Sequence, residues 1–426
     1  MAKLRDYFTK GIFPYKKQAE AIKFMMAHHY MILNGKPGVG KTLMATAVMA
    51  LEGGKSICVV PSSLKLNWEN EIGKYCDLKV KVFKTGKDLN DSCSYDIGII
   101  SYGLLDKGCR IFEGSSTIVF DEAHYLCNID AARTQRAHEI VEQCAPKRVL
   151  LLSGTPIKNR VYEYFSLMAM CAYNPYATSG IDISKLFPTL FKFQLKFSFK
   201  QEFRIKGRNI VQFKGVRNIP LLKTLLKDKM ITLTLDDVAE IPPLQHIDVL
   251  VEYNEGVLQK AWKSFNEGDN KVHISTGKSK AALLKAKYTK DYVNDLLTGV
   301  DAVVVFTDHL ASADYLHRGI KGSRIITGSI SSDKRAELVE GFQKGDIPCL
   351  VCTIGAANTG FTLTRASNMV VNDLSWSNSD NEQMVKRIHR IGQTKKSTIH
   401  YILGSKIDVK IKKALQSKAK DLQKIV

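Results

Sequence analysis

A chain of 426 residues, 45% hydrophobic and 24% charged, has the composition of an ordinary globular protein long enough for two or three domains. No apolar run reaches the roughly 18–20 residues of a membrane-spanning helix, and the N-terminal MAKLRDYFTK lacks a signal-peptide core, so the expectation is a cytoplasmic protein with no membrane partner. The net charge of +20 is concentrated: residues 160–230 hold 13 Lys/Arg against 4 Asp/Glu and residues 386–426 hold 12 against 2, which points to a polyanion, nucleic acid foremost.

In chain order, β-rich apolar runs alternate with helical stretches. The first series is Met31–Asn34, Ser56–Val60, Ile97–Ser101, Thr117–Phe120 and Val149–Leu152. A second follows at Ala302–Phe306, Arg324–Thr327, Cys349–Cys352, Met369–Asn372 and Thr398–Leu403. This alternation predicts an α/β protein of two parallel-sheet lobes. Residues 160–230 read as a helical, basic insertion, and a helical stretch over about 254–298 opens the second lobe. The lobe boundary falls near Pro242, giving domains of 1–240 and 241–426. The stretch from Ile407 to Val426, with Ile411, Leu415, Leu422 and Ile425 among lysines, predicts an amphipathic helix against its own lobe.

Gly35-Lys36-Pro37-Gly38-Val39-Gly40-Lys41-Thr42 follows the first strand and fits the phosphate-loop pattern G-x-x-x-x-G-K-T. Glycines there let backbone N–H groups turn onto phosphate oxygens, Lys41 brings a charge to the β and γ phosphates, and Thr42 offers a hydroxyl to Mg²⁺. Eighty residues later an apolar strand ends in Asp121-Glu122-Ala123-His124. An acid there can hold the metal, and its neighbour can polarise the attacking water; Asp121 takes the first role and Glu122 the second. The nine cysteines are scattered, mostly in apolar runs. Cys349-Leu-Val-Cys352 has no second pair, so no cysteine is assigned to a metal.

Further motifs, in order, resemble the Swi/Snf family of superfamily 2 helicase-like motors. Gln18 matches the glutamine that reads adenine in such motors. The run from Val60 to Glu71 is similar to P-x-S-L-x-x-N-W-x-x-E, which implies DNA contacts from Ser63, Lys65, Asn67 and Trp68. Leu152-Ser153-Gly154-Thr155-Pro156 resembles the motif coupling nucleotide state to the rest of the motor, with His124 as its link. In the second lobe, Gly328-Ser329, Lys334-Arg335 and Phe342 match one motif. Thr353 to Thr364 match the next, implying a DNA contact at Thr353 and an ATP contact at Gly360. Gln383-Met-Val-Lys-Arg387-Ile-His389-Arg390-Ile-Gly-Gln393 resembles Q-x-x-x-R-x-H-R-I-G-Q. It implies coupling through Gln383, an orienting or packing His389, and a γ-phosphate clamp from Arg387 and Arg390, which three-residue spacing would put on one helical face.

The resemblance implies RecA-like lobes, ATP and Mg²⁺ as ligands, and movement along duplex or forked DNA without sequence preference. Ala356-Ala357-Asn358-Thr359-Gly360-Phe361-Thr362 and Arg160 are closer to the fork-remodelling, strand-annealing branch than to chromatin remodellers. Met230-Ile-Thr-Leu-Thr-Leu stands where the family has paired arginines. The length leaves no room for accessory domains, which resembles a bare motor of phage or bacterial type. Two alternatives stay open at this point: a strand-separating DNA or RNA helicase, and a nucleotide-dependent DNA binder that does not hydrolyse.

Overall fold

Short continuous apolar runs become strands buried on both faces, as a parallel sheet covered by helices requires. The computed structural model describes residues 8, 11–90, 93–107, 109–154, 160–175, 183–205, 208–238, 240–252, 271–357, 360–404, 408–413 and 415. They divide into two compact units, the first ending at Ala239 and the second running Glu240–Ala419.

The first unit holds a seven-stranded sheet of β1 (Tyr30–Gly35), β2 (Ser56–Val60), β3 (Val80–Val82), β4 (Ile97–Ser101), β5 (Thr117–Asp121), β6 (Arg148–Ser153) and β9 (Met230–Leu233). Its order is β3-β4-β2-β5-β6-β1-β9, and every pairing is parallel. Every residue of β1, β2, β4, β5 and β6 is buried. Parallel pairing puts the C-terminal ends of β1, β5 and β6 side by side, on the edge where open α/β sheets bind their ligands.

The second unit holds a six-stranded parallel sheet of β10 (Leu244–Leu250), β11 (Val303–Thr307), β12 (Ser323–Ile326), β13 (Cys349–Thr353), β14 (Asn368–Val371) and β15 (Ser397–Leu403). The order is β10-β15-β14-β11-β13-β12. Each face of this sheet has its own core. Cys349 belongs to one and Cys352 to the other, so strand alternation turns the two thiols apart. Burial pushes the Cys349 thiol up to about 12, which leaves it a small neutral hydrophobe.

The insertion differs from its expected form. It has helices at Tyr164–Ala172, Leu190–Phe197 and Ile219–Leu226, but between the last two lies an antiparallel hairpin of β7 (Phe199–Ile205) and β8 (Arg208–Lys214). Buried Phe193 and Phe197 keep helical spacing, whereas beyond Ser198 the sequence changes to strand alternation, Phe199-Lys-Gln-Glu-Phe203-Arg-Ile. Its Phe, Leu and Lys content hid that change of period. The Met230 run is also a strand and closes the first sheet beside β1.

A long helix runs Lys271–Gly299; residues 254–270 lie outside the described residues. Residues 408–413 are helical. Ile411 and Leu415 pack against Leu374 of their own unit, and the remainder of that expected helix lies outside the described residues.

Candidate functional site

The loop after β1 is shaped by glycines, two of them in a conformation that other residues adopt only with strain. Gly38 and Gly40 have φ of 92° and 82°, left-handed values that a side chain disfavours. A Cβ on Gly40 would also lie 2.5 Å from Gln18 Nε2, and one on Gly35 would lie 2.9 Å from a Val39 methyl. Gly40 caps the helix Lys41–Glu52, whose open N-terminal amides and dipole favour an anion there. The Lys41 ammonium donates to the Gly35 carbonyl at 3.0 Å, folded across the loop. Thr42 stands in the first turn of the same helix.

Two of the expected nucleotide residues act within the chain. The Gln18 carboxamide, 3% exposed, accepts from the Tyr15 N–H at 2.8 Å and donates to the Val39 carbonyl at 2.8 Å, tying the preceding helix to the loop. Val39 is fully buried and its N–H donates to the Lys36 carbonyl, so it offers a ligand neither its side chain nor its amide. Pro37 meets the end of β6: a Cβ on Gly154 would lie 2.8 Å from Pro37 Cδ. Gly154 thus packs directly on the loop after β1, with no room for a side chain at that crossing. Thr155 lies outside the described residues.

At the end of β5, Asp121 is 6% exposed and its carboxylate is held at both oxygens. Trp68 Nε1–H donates to Oδ2 at 2.7 Å and the Glu122 N–H to Oδ1 at 2.9 Å, while Tyr102 donates to the Asp121 carbonyl at 2.8 Å. Burial, and then the adjacent Glu122 charge, raise the Asp121 pKa to about 6, against the pull of Lys41 and Trp68. A carboxylate so placed gains from a cation, which suits it to a metal. Glu122 has φ 51° and ψ 50°, a left-handed conformation costing a non-glycine residue about 1 kcal/mol or more. Its carboxylate lies 3.1 Å from His124 Nδ1, which is also 3.4 Å from the Ser153 hydroxyl. His124 therefore bridges the acid to β6.

Trp68 corrects its own reading. At 1% exposure it has no surface for a DNA strand, and it serves instead as a donor to Asp121. Leu64, Trp68, Ile72 and Tyr75 are all buried, and their helical spacing was the signal that Trp68 faces inward. Ser63 and Asn67 are exposed. Lys65 is half-buried, with its ammonium on the carbonyls of Phe83 at 2.9 Å and Lys84 at 3.3 Å.

In the second unit the arginine motif does much of its work inside the fold. The helix Asn378–Val385 ends before the arginines, and the N–H groups of Arg387 and Ile388 bond three residues back; the pair does not share a regular helical face. A buried arginine at 387 takes the Phe361 carbonyl at 3.2 Å and covers its ring, while Arg390 is more open. The chain reversal has a cause in Gln393, whose Nε2 lies within 3.1 Å of the carbonyls of Thr364, Ala366 and Ile388. His389 Nε2 meets the Pro242 carbonyl at 3.1 Å, an orienting contact. Gly360 has φ 82°, Gln383 is 5% exposed, and Thr353 is 8% exposed, so the Thr353 hydroxyl is poorly placed for a DNA strand. Among the described residues Asp308, His309 and Asp373 bring ligating atoms within 4.8 Å of one another, but Lys278 already supplies the cation there.

Two parallel sheets, the first carrying a phosphate loop with an acid pair on a nearby strand end, define a protein of two RecA-like lobes. The SNF2-related domain matches residues 17–297 and the helicase conserved C-terminal domain matches residues 286–392; the chain belongs to the SNF2-related family. It is 28% identical over 414 residues to the SWI/SNF-related matrix-associated actin-dependent regulator of chromatin subfamily A-like protein 1 of Xenopus tropicalis, covering 91% of this chain and 42% of that one. It is 25% identical over 439 residues to the DNA annealing helicase and endonuclease ZRANB3 of Homo sapiens, covering 94% and 39%. The chain thus spans about two fifths of the length of these relatives. A solved Sulfolobus solfataricus SWI2/SNF2 ATPase core in complex with dsDNA has 19% identity and a TM-score of 0.46, over 99% of this chain and 94% of that one. Among the described residues no helix is long and apolar enough to cross a membrane.

Proposed function

We propose that this chain is a DNA-dependent ATPase that couples ATP hydrolysis to movement along double-stranded or forked DNA and so remodels or anneals strands. The observation that carries the reading is the joining of three motifs at one sheet edge: the Lys41 loop, the Asp121–Glu122 pair and the Ser153–Gly154 segment. The naming of a relative as a DNA annealing helicase supports the DNA part, as does the charge of residues 160–230 and 386–426.

Lys41 places positive charge at the β and γ phosphates, and the helix it begins directs amides at the same oxygens. The donor set of Asp121 and Thr42 fits Mg²⁺, which when bound neutralises phosphate charge; Asp121-Glu122-Ala123-His124 is then a DEAH-type box. Glu122 orients the attacking water and takes its proton, while His124 passes the state of that carboxylate to Ser153. Gln18 stands for the adenine contact, its carboxamide keeping a second N–H and a second lone pair beyond the two bonds it makes. Arg387 and Arg390 offer guanidinium charge suited to a phosphate, Arg390 as the more open of the two.

ATP turnover measured with no nucleic acid, single strands, duplex, forked DNA and RNA tests this directly. Duplex or forked DNA is expected to stimulate most; stimulation by RNA alone overturns the reading. Lys41→Ala is expected to lose at least about 100-fold in turnover, and normal hydrolysis by that variant removes the site assignment.

A further inference from the structure

We propose that the open face of the β7–β8 hairpin binds an unpaired nucleic-acid strand by stacking its bases on Phe199 and Phe203. The register puts Phe199 opposite Lys214, Gln201 opposite Gln212, and Phe203 two positions further along β7 on the same face. The other face buries Phe213, which meets the Phe191 ring edge-on at 5.8 Å, while Lys200, Glu202, Arg204 and Val211 on that face are exposed. On the first face Phe199 is 53% exposed and Phe203 38%. Gly215, with φ 63°, leaves the Phe199 ring room at the hairpin base: a Cβ there would lie 3.2 Å from the ring.

Exposed phenyl rings cost stability, and nothing in the fold of this unit requires two on one strand face. Their chemistry and surroundings select the occupant. The two rings are four residues apart, roughly 13–14 Å along a strand, and the carboxamides of Gln201 and Gln212 stand between them. Rings offer every base a stacking surface, and carboxamides can both donate to and accept from base edges. Lys214 shares the face. Lys196 and Arg217 are exposed nearby, in a segment with net charge +9, whereas Lys200 lies on the opposite face and pairs with Glu202. This is charge complementary to a phosphate backbone. It is also the wrong composition for a protein partner, whose contact cores are depleted in lysine.

A duplex keeps its bases stacked inside and can use only the cations. An unpaired strand uses cations, carboxamides and rings together, and one face of the hairpin presents all three. On a forked or partly melted substrate such a face would hold the strand that has left the duplex. The inference extends the proposed reading of the chain as a DNA motor, but it is read by binding without nucleotide, so its failure is separable from failure of the ATP site.

The test is the Phe199→Ala/Phe203→Ala double variant of the full chain, with Phe199→Tyr/Phe203→Tyr as the control that keeps the rings. Affinity is read by fluorescence anisotropy for labelled single-stranded DNA, single-stranded RNA and blunt duplex DNA. Removing the rings is expected to weaken single-strand binding at least tenfold, to leave duplex binding within about twofold, and to leave unstimulated ATP turnover unchanged; the tyrosine variant is expected to bind like the parent. The DNA and RNA arms report which unpaired strand is preferred. Unchanged single-strand affinity overturns the proposal, as does an equal loss for duplex, which would make the hairpin a backbone grip. A dimer in the parent that the alanine variant converts to monomer also overturns it, because the face would then join two copies of the chain.

Discussion

The two units divide their signature residues differently between chemistry and support. In the first, Lys41, Asp121 and Glu122 are held by others: by glycines with left-handed backbone, by the Trp68 indole and by the His124–Ser153 link. In the second, the motif residues are themselves the holders. Gln393 is bonded to three carbonyls, Arg387 to the Phe361 carbonyl, and His389 to that of Pro242. A motif shared by a family therefore mixes residues selected for chemistry with residues selected for the bend that presents them, and spacing alone does not separate the two.

Three measurements would break or sharpen that contrast. The largest effect is expected at His138, an architectural residue of the first unit, whose ring lies 3.2 Å from the Ser166 hydroxyl and 3.4 Å from that of Tyr173. Burial lowers its pKa from 6.5 to about 4, so it stays neutral while the unfolded chain takes up a proton. Its contribution is fully present above pH 6.5 and is lost as pH falls toward 4, on the order of 3 kcal/mol at most. Denaturant unfolding from pH 7 to pH 4 checks this; His138→Gln should flatten the acid limb of the stability curve, and an unchanged limb removes the assignment.

Next comes Gln393→Ala, which leaves three carbonyls without their shared donor and is expected to cost about 2 kcal/mol. Turnover per folded molecule should change little. A large loss of turnover in fully folded protein would move Gln393 from the architectural group to the chemical one.

The smallest effect on stability, about 1.5 kcal/mol, is expected for Trp68→Phe, which keeps most of the packing but removes the donor to Asp121. Here the readout is turnover, expected to fall about tenfold while blunt-duplex affinity stays within twofold. Weakened DNA binding with normal turnover would return Trp68 to a DNA-contacting role.

Much was legible in the chain itself. Each expected strand of both sheets is present, because a strand buried on both faces needs an unbroken apolar run and little else in a sequence produces one. The loop after β1 was legible for the same kind of reason: left-handed backbone favours glycine at Gly38 and Gly40. The hairpin was not, since its strands are exposed, rich in polar residues and preceded by a true helix, so the change of period at Ser198 carried little contrast.

The sequence by itself determined the buried apolar strands of both sheets, the charge and the residue types available for phosphate chemistry. All of these are local properties, fixed by backbone sterics and hydrophobic period. Only the tertiary structure decided that Trp68 serves Asp121, that Gly154 crosses Pro37, and that Arg387 is buried against Phe361. Each joins positions 26 to 117 residues apart, and such contacts depend on which strands become neighbours, which no local pattern encodes.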